Sequence, residues 1–168
     1  TLDALRGMVG GGLKKMIRLG AESSGDPVDD AVLDRLVAAG MVHYANHICD
    51  HTTIFDGVIE NLEALAAANV PMAVCTNKTA HLARLLIDEL RLTPYFKAVL
   101  GGDSLDVQKP HGDHILTTIR ETGADPAQAI MVGDSIADVN GAKNAGVPVI
   151  AVSFGYTLTP ARELGADM

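Results

Sequence analysis

The sequence predicts an α/β fold in which a parallel sheet is flanked by helices and preceded by a small all-helical subdomain. From residue 53 onward, short apolar runs alternate with segments that carry apolar residues at helical spacing, as in βαβ units. Residues 1–52 show the helical spacing alone. The chain has 168 residues and is 48% hydrophobic, which is enough to bury a sizeable core. We therefore expect a helical subdomain at 1–52 and a sheet-containing domain at 53–168.

Two helices are predicted in the first part, where apolar residues recur every three or four positions. These residues are Leu13, Met16 and Ile17 in the first segment and Val32, Leu33, Leu36 and Val37 in the second. The segment between them, 23–27, is rich in turn formers and ends at Pro27, which suits the start of a helix.

In the second part, helices alternate with short strands. In chain order we predict helix 58–68, strand 72–75, helix 80–89, strand 98–100, helix 114–121, strand 129–132, helix 136–144 and strand 147–152. Two of the strands are nearly all apolar, so we expect them to be buried on both faces. Ligands of such sheets bind beyond the carboxyl ends of the strands, which makes the residues after each strand the candidates for a site.

The first strand is followed by Thr76, Asn77 and Lys78, and then by a helix whose predicted N-cap is Thr79. A hydroxyl and unpaired backbone N–H groups at a helix start suit phosphate, because the helix dipole there favours an anion. Termination of the strand by Thr76 and capping of the helix by Thr79 would explain the same residues without any ligand.

Two further strands are followed by charged residues. After the third strand, Gly133 permits a sharp turn, and the four-residue spacing of Asp134 and Asp138 lets both carboxylates point to one crevice. Carboxylates suit Mg²⁺, although an N-cap with a first-turn acid near the helix dipole is an alternative. After the second strand, Pro110 restricts Lys109 to an extended backbone that holds its charge in one place. A solvated loop lysine is the alternative there.

Taken together, these segments resemble motifs two, three and four of the haloacid dehalogenase (HAD) superfamily, in its phosphoglycolate phosphatase-like branch. The matching segments are Val74–Lys78, Lys109–His111 and Gly133–Asp138. Residues 9–13 are similar to the glycine turn of that branch's helical C1-type cap, and 154–156 to the segment after its last core strand. The resemblance spans nearly the whole chain and implies a Rossmann-like HAD core with a small helical cap.

Carried over to this sequence, the resemblance implies roles for five residues. Thr76 and Lys109 would bind phosphate, and Asn77 belongs to the same motif as Thr76. Asp134 would be a Mg²⁺ ligand, and Asp138 would hold either Lys109 or a metal-bound water. The implied cofactor is Mg²⁺, and the implied partner is a small phosphomonoester.

The first motif of the family has no match in this sequence. It reads Asp-x-Asp-Gly-Thr, ends the central strand, and supplies the nucleophilic Asp and the acid/base Asp. Asp26 and Asp56 are the nearest candidates, but neither has the second Asp or a preceding apolar strand, and Asp56–Gly57 fits a hinge turn. Because a sheet without its central strand leaves backbone groups unpaired, we expect a segment with this motif to be missing from the sequence.

The resemblance implies Mg²⁺-dependent hydrolysis of a small phosphomonoester through an aspartyl phosphate whose Asp is not in this chain. Phosphoglycolate is the first substrate to test, and the 168 residues alone are expected to show negligible hydrolysis. Two alternatives are another HAD enzyme, such as a phosphomutase, dehalogenase or nucleotide phosphatase, and a noncatalytic phosphate- or metal-binding module.

Residues of the helical part are candidates for contacts with the rest of the substrate. The backbone N–H groups of Gly10, Gly11 and Gly12 are the candidates for binding its distal carboxylate, with Arg6 or Lys14 assisting. A loop that opens a helix is the alternative for the glycines.

Three histidines, His43, His47 and His51, repeat every four residues and would share one face of a helix. We prefer a structural or solvated stripe to a Zn²⁺ site, because no Glu or Cys ligand accompanies them.

The charge balance excludes some classes of partner. With 13 basic and 21 acidic residues the net charge is −8, which repels nucleic acid and anionic membranes. No apolar run approaches the ~20 residues that span a bilayer. Cys49 and Cys75 lack metal-binding spacing and fit the reduced thiols of a cytoplasmic protein. The sequence does not predict an oligomeric state.

Overall fold

The computed structural model of the chain describes residues 12–157 and 159–168. Within these residues the α-helices are α1 Leu13–Ser23, α2 Asp30–Asn46, α3 Val58–Ala67, α4 Ala80–Glu89, α5 Gly112–Glu121 and α6 Ile136–Ala145. The strands are β1 Ala73–Cys75, β2 Ala98–Leu100, β3 Met131–Gly133 and β4 Val149–Ala151. Short 3₁₀ helices lie at Thr93–Tyr95, Pro126–Gln128 and Ala161–Glu163. The predicted order of helices and strands is confirmed, while three of the strands are shorter than predicted.

In the helical part, α1 and α2 pack against each other. The helices approach closely at Gly40, where an added Cβ would lie 3.3 Å from a methyl group of Leu13. Exposed ion pairs join the two helices, with Lys14 Nζ 2.6 Å from Asp34 Oδ1. The α2 helix begins later than Pro27 suggested, because the Asp29 carboxylate accepts a hydrogen bond from the Val32 N–H and so caps the helix at that point.

The strands form two parallel pairs, as the predicted α/β class requires. β1 pairs with β2, with Val74 beside Val99, and β3 pairs with β4, with Val132 beside Ile150. Within the described residues, no hydrogen-bonded strand joins β1 to β3. The β1–β2 pair packs on α5, the β3–β4 pair packs on α6, and the two helices pack on each other. The two strand pairs therefore belong to one layer.

The outer edges of both strand pairs are covered. The Arg84 guanidinium donates to the Val99 carbonyl at 3.1 Å, on the side of β2 that faces away from β1. The Ala151 N–H, on the outer side of β4, donates to the Met168 carbonyl at 2.8 Å. By contrast, the inner edges of β1 and β3 have no strand partner among the described residues. The open edges therefore face the position between the two pairs.

The core of the second part lies between the sheet and helices α5 and α6. Its buried members are Ile115, Val139, Ala142, Val147, Val149 and Leu164. The expectation that the apolar strands are buried on both faces is wrong for β3. Met131 packs against the core, but Val132 alternates to the opposite face and is 57% exposed.

None of the described helices is both long and apolar enough to cross a bilayer.

Candidate active site

A lysine and an aspartate form a buried ion pair at the carboxyl ends of the strands. Lys109 Nζ lies 2.6 Å from Asp138 Oδ1, and the two side chains are 8% and 7% exposed. The same ammonium donates to the Cys75 carbonyl of β1 at 2.5 Å. That carbonyl lies on the inner edge of β1, because the adjacent Thr76 N–H points to β2. Lys109 is therefore not a solvated loop lysine: its ammonium lies at the open position between the two strand pairs.

Asp138 is held by donors on both of its oxygens. Oδ1 accepts from Lys109, while Oδ2 accepts from the Ser135 hydroxyl at 2.6 Å and from the backbone N–H groups of Ser135 and Asp134. Burial opposes the charge on Asp138, but the Lys109 ammonium and the Ser135 donors outweigh it and lower the pKa of the carboxyl. Ser135 and Asp138 also form a capping box at the start of α6. The Asp138 carboxylate thus both caps α6 and binds Lys109.

Asp134 lies at the tip of β3, where backbone from a distant loop contacts it. Its Oδ2 accepts from the Tyr156 N–H at 2.9 Å. Gly155 lies so close that an added Cβ would be 2.2 Å from the Asp134 Cβ and Oδ2. No protein hydrogen bond to Oδ1 of Asp134 is found within the described part of the chain. In the described structure, Oδ1 of Asp134 could therefore bind a cation.

Two aromatic side chains of the loop that contacts Asp134 lie near a third from another segment of the chain. The Phe55 ring, in the connection from α2 to α3, lies 4.9 Å from the Phe154 ring and 6.3 Å from the Tyr156 ring. All three side chains are exposed. The connection between the helical part and the sheet part therefore contacts the loop that holds Asp134.

Thr76, Asn77 and Lys78 form a tight turn after β1. The Thr76 hydroxyl accepts from the Lys78 N–H at 3.1 Å, and the Asn77 amide donates to the Lys109 carbonyl at 2.9 Å. Asn77 Oδ1 is buried without a hydrogen-bond partner among the described residues. An added Cβ on Gly102 would lie 2.7 Å from the Asn77 carbonyl oxygen, so the loop after β2 packs directly on this turn. Thr76, Asn77 and Lys109 are thereby brought together.

The predicted N-cap position of Thr79 in α4 is confirmed, but its hydroxyl does not perform the capping. Thr79 occupies the N-cap position, but its hydroxyl makes no capping hydrogen bond and is buried without a partner in the described structure. Instead the Ala80 N–H donates to Asp103 Oδ1 at 2.7 Å. Asp103, from the loop after β2, reaches the helix because that loop packs on the start of α4. The helix therefore depends on a residue that is distant in sequence.

The comparisons with known proteins agree with this geometry. Residues 4–152 match the haloacid dehalogenase-like hydrolase family. The chain belongs to this family. It is 40% identical over 166 residues to the phosphoglycolate phosphatase of Caulobacter vibrioides, covering 99% of this chain and 70% of that protein. It is 42% identical over 168 residues to the phosphoglycolate phosphatase of Agrobacterium fabrum, covering 100% of this chain and 72% of that protein.

Solved structures of the HAD family confirm the fold. A crystal structure described as a predicted phosphoglycolate phosphatase from Haemophilus somnus has a TM-score of 0.91 to this chain at 24% identity. It is matched over 99% of this chain and 76% of its own. This likeness confirms the predicted HAD-like α/β class. The family match and the Caulobacter and Agrobacterium relatives confirm the phosphoglycolate phosphatase-like branch, and the chain is a HAD phosphatase.

The structure describes only some of the residues in the helical part that are candidates for substrate contacts. Arg6, Gly10 and Gly11 lie outside the described residues. Gly12 precedes α1 with φ +84°, and an added Cβ would meet no atom within 4 Å. Lys14 is paired with Asp34. The roles of these residues in binding stay predictions.

The three histidines do not share a helical face. Helix α2 ends at Asn46, so His47 is its C-cap and His51 lies beyond it. The His43 and His47 rings lie 4.5 Å apart, and His47 Nδ1 is 2.6 Å from Asp50 Oδ2. Among residues 12–157 and 159–168, no group of three His, Cys, Asp or Glu side chains is arranged to bind a metal ion.

Sequence reasoning missed a buried histidine behind the site. His114 is fully buried, its Nε2 lies 3.0 Å from the Gly101 carbonyl oxygen, and its Nδ1 lies 3.6 Å from Cys75 Sγ. Burial lowers the pKa of His114, and it raises the pKa of the Cys75 thiol. With Nε2–H donating to Gly101, Nδ1 accepts from the thiol, so both groups are neutral and fill the core.

Proposed function

We propose that this HAD phosphatase hydrolyses a small phosphomonoester, with phosphoglycolate as its substrate, through an aspartyl phosphate whose Asp is not among these residues. The observation that carries the proposal is the Lys109 ammonium, fixed by Asp138 and the Cys75 carbonyl at the open position between β1 and β3. The names of the Caulobacter and Agrobacterium relatives support phosphoglycolate as the substrate.

Lys109 and Thr76 would bind and orient the phosphoryl group. The Lys109 ammonium uses one donor on Asp138 and one on the Cys75 carbonyl, and its third would bind phosphoryl oxygens and stabilise the negative charge of the transition state. Thr76 lies in the turn that Asn77 ties to the Lys109 backbone, so its hydroxyl is held near the same position. Phosphoryl transfer depends mainly on such positioning and charge stabilisation.

The nucleophile would come from a strand between β1 and β3. Two features support this proposal: both inner edges lack a strand partner in the described structure, and both outer edges are covered. An Asp at the carboxyl end of such a strand would lie beside Lys109 and Asp134. The Asp carboxylate would attack phosphorus, and the P–O bond to the alcohol would break as the acid/base Asp of the same motif protonates the leaving oxygen. Water would then hydrolyse the aspartyl phosphate.

Asp134 fits a site for Mg²⁺. Its Oδ1 is available, and Mg²⁺ is commonly bound through one or two carboxylates together with water and substrate phosphate. Bound there, Mg²⁺ would act as a Lewis acid toward the phosphoryl oxygens. Asp138 stays a predicted second metal ligand. Its hydrogen bonds with Lys109 and Ser135 favour its alternative role, the positioning of Lys109.

The helical part, predicted as a cap at 1–52, would lie over this site in the proposed enzyme. Tyr44 of α2 and Phe55 both contact residues of loops that follow strands, which supports this arrangement. The free thiols of Cys49 and Cys75 support a cytoplasmic location, and the net charge of −8 supports a small-molecule partner and not nucleic acid.

The proposal is tested by phosphate release from phosphoglycolate by the protein as its gene encodes it. We expect release to require Mg²⁺ and to stop when EDTA is added. Asp134→Asn should lower kcat/KM by about 10²- to 10³-fold, the scale of one lost electrostatic contact in a transition state. Asp26→Asn, in the exposed turn between α1 and α2, is the matched control and should leave kcat/KM unchanged. Failure of the unaltered protein to release phosphate would contradict the proposal and favour a binding module.

A further inference from the structure

Lys78 joins the turn after β1 to the helical part. Its ammonium donates a hydrogen bond to the Tyr44 hydroxyl, near the end of α2, and lies 4.3 Å from the centre of the Tyr44 ring. The side chain of Lys78 is therefore directed from the site toward the helices. It lies at the boundary between the two parts of the protein.

Among residues 12–157 and 159–168, no acid compensates the charge of Lys78. Lys109, the other lysine of the site, is paired with Asp138, whereas Lys78 forms no ion pair with any carboxylate of the described residues. Tyr44 supplies a neutral hydroxyl and a ring face, neither of which cancels a unit charge. A half-buried ammonium with only these partners would gain from an anionic ligand.

Lys78 lies next to the proposed phosphate-binding residue. Its backbone N–H donates to the Thr76 hydroxyl at 3.1 Å, so the two residues belong to one turn. An ammonium has three donors, of which Tyr44 uses one, so an anion can bind without loss of the contact with α2. The two residues are therefore placed to bind two different groups of one small molecule.

From this geometry we propose that Lys78 determines specificity by binding a second anionic group, a carboxylate, of a small phosphomonoester. This inference rests on the proposed phosphatase function and extends it to the recognition of the part of the substrate that does not react. A substrate with a carboxylate would place it on Lys78 while its phosphoryl group binds at Thr76 and Lys109. Binding would at the same time strengthen the boundary with α2 through Tyr44.

The test compares two substrates with the same two-carbon skeleton, phosphoglycolate and ethyl phosphate, which has a methyl group in place of the carboxylate. The readout is the ratio of kcat/KM for phosphoglycolate to kcat/KM for ethyl phosphate. In the full-length protein, Lys78→Met should lower this ratio by about 10- to 100-fold, the effect of one lost charge-assisted hydrogen bond. Lys78→Arg keeps the charge and should retain a ratio at least about three times that of Lys78→Met.

Lys97→Met is the matched control, because Lys97 is exposed and precedes β2, at the opposite end of the strands. It should leave the ratio unchanged. The inference is overturned if Lys78→Met keeps the ratio within about threefold of the unaltered protein. It is also overturned if the unaltered protein has the same kcat/KM for ethyl phosphate as for phosphoglycolate. Absence of phosphate release from both substrates by the unaltered protein would instead contradict the proposed function. Retention of the ratio in Lys78→Arg but not in Lys78→Met distinguishes a binding role from a structural one.

Discussion

The Lys109 ammonium lies 2.6 Å from the Asp138 carboxylate, and each of these side chains has less than a tenth of its surface exposed. Removal of both charges from water opposes this arrangement, and the pair is stable only because other groups complete it. Ser135 donates to Asp138, and the Cys75 carbonyl accepts from Lys109. The pair therefore connects β1, α6 and the loop after β2 at one point.

Loss of one partner should destabilise the protein strongly. Asp138→Asn leaves the Lys109 ammonium buried without a counter-charge, and we expect a loss of about 3–5 kcal/mol in the free energy of unfolding. The double variant Lys109→Met with Asp138→Leu should recover most of this loss, because no buried charge then remains. Urea unfolding of the unaltered protein, Asp138→Asn and the double variant measures both effects. If Asp138→Asn unfolds at the same urea concentration as the unaltered protein, the pair is not buried as described.

A methyl group beside Asp134 should weaken the proposed metal site. In Gly155→Ala the new Cβ would lie 2.2 Å from Asp134 Oδ2, so the carboxylate has to move. We expect Mg²⁺ affinity to fall by about 10-fold or more, as when groups that orient a metal ligand are altered. Titration calorimetry with Mg²⁺ is the measurement. Gly20→Ala, where an added Cβ meets no atom within 4 Å, is the matched control and should bind Mg²⁺ as the unaltered protein does.

Local patterns were sufficient to predict the elements and the strand ends that carry the site. Helix α4 has its predicted bounds, 80–89, and strand β2 its predicted bounds, 98–100. Lys109, Asp134 and Asp138 could be chosen as candidates because parallel strands bring their carboxyl ends together. Asp138 shows what local patterns cannot predict. Its spacing from Asp134 is equally compatible with a metal ligand and with a partner for Lys109, and only the observed contacts favour the partner for Lys109.

Contacts between distant segments could not be predicted from these patterns. Asp103 caps α4 from 23 positions away, and Tyr156 donates to Asp134 from 22 positions away. Neither contact follows from helical or strand periodicity. The exposure of Val132 has the same origin, because an apolar strand residue is buried only if some element covers its face. Periodicity identifies an apolar face but not the element that covers it.

The start of α4 should depend on Asp103 and not on Thr79. Asp103→Ala removes the acceptor of the Ala80 N–H and should cost about 1 kcal/mol of unfolding free energy, while Asp103→Asn keeps an acceptor and should cost less. Thr79→Val removes a buried hydroxyl that has no partner in the described structure and should be neutral or stabilising. Urea unfolding curves of these variants give the comparison. A larger loss for Thr79→Val than for Asp103→Ala would contradict the assignment of the cap.

The buried His114 should make stability fall in mildly acidic solution. Burial, assisted by repulsion from the Lys109 charge, lowers its pKa below the ordinary 6.5 despite the Gly101 carbonyl, so the unfolded chain binds a proton more readily than the folded one. The stability contribution of neutral His114 is thus present above pH 6.5 and is lost as the pH falls from there toward the folded-state pKa, by at most about 1.4 kcal/mol per pH unit. The loss that comes from Asp138 begins only at lower pH, below its ordinary value of 3.8.

Replacement of this imidazole should remove that part of the pH dependence. In His114→Gln the side-chain amide can still donate to the Gly101 carbonyl but does not titrate, so the free energy of unfolding should change less between pH 7 and pH 5 than in the unaltered protein. Urea unfolding at several pH values measures the slope. His81→Gln, which alters an exposed histidine of α4, is the control and should leave the slope unchanged. Equal slopes for His114→Gln and the unaltered protein would mean that His114 does not bind its proton more weakly in the folded state.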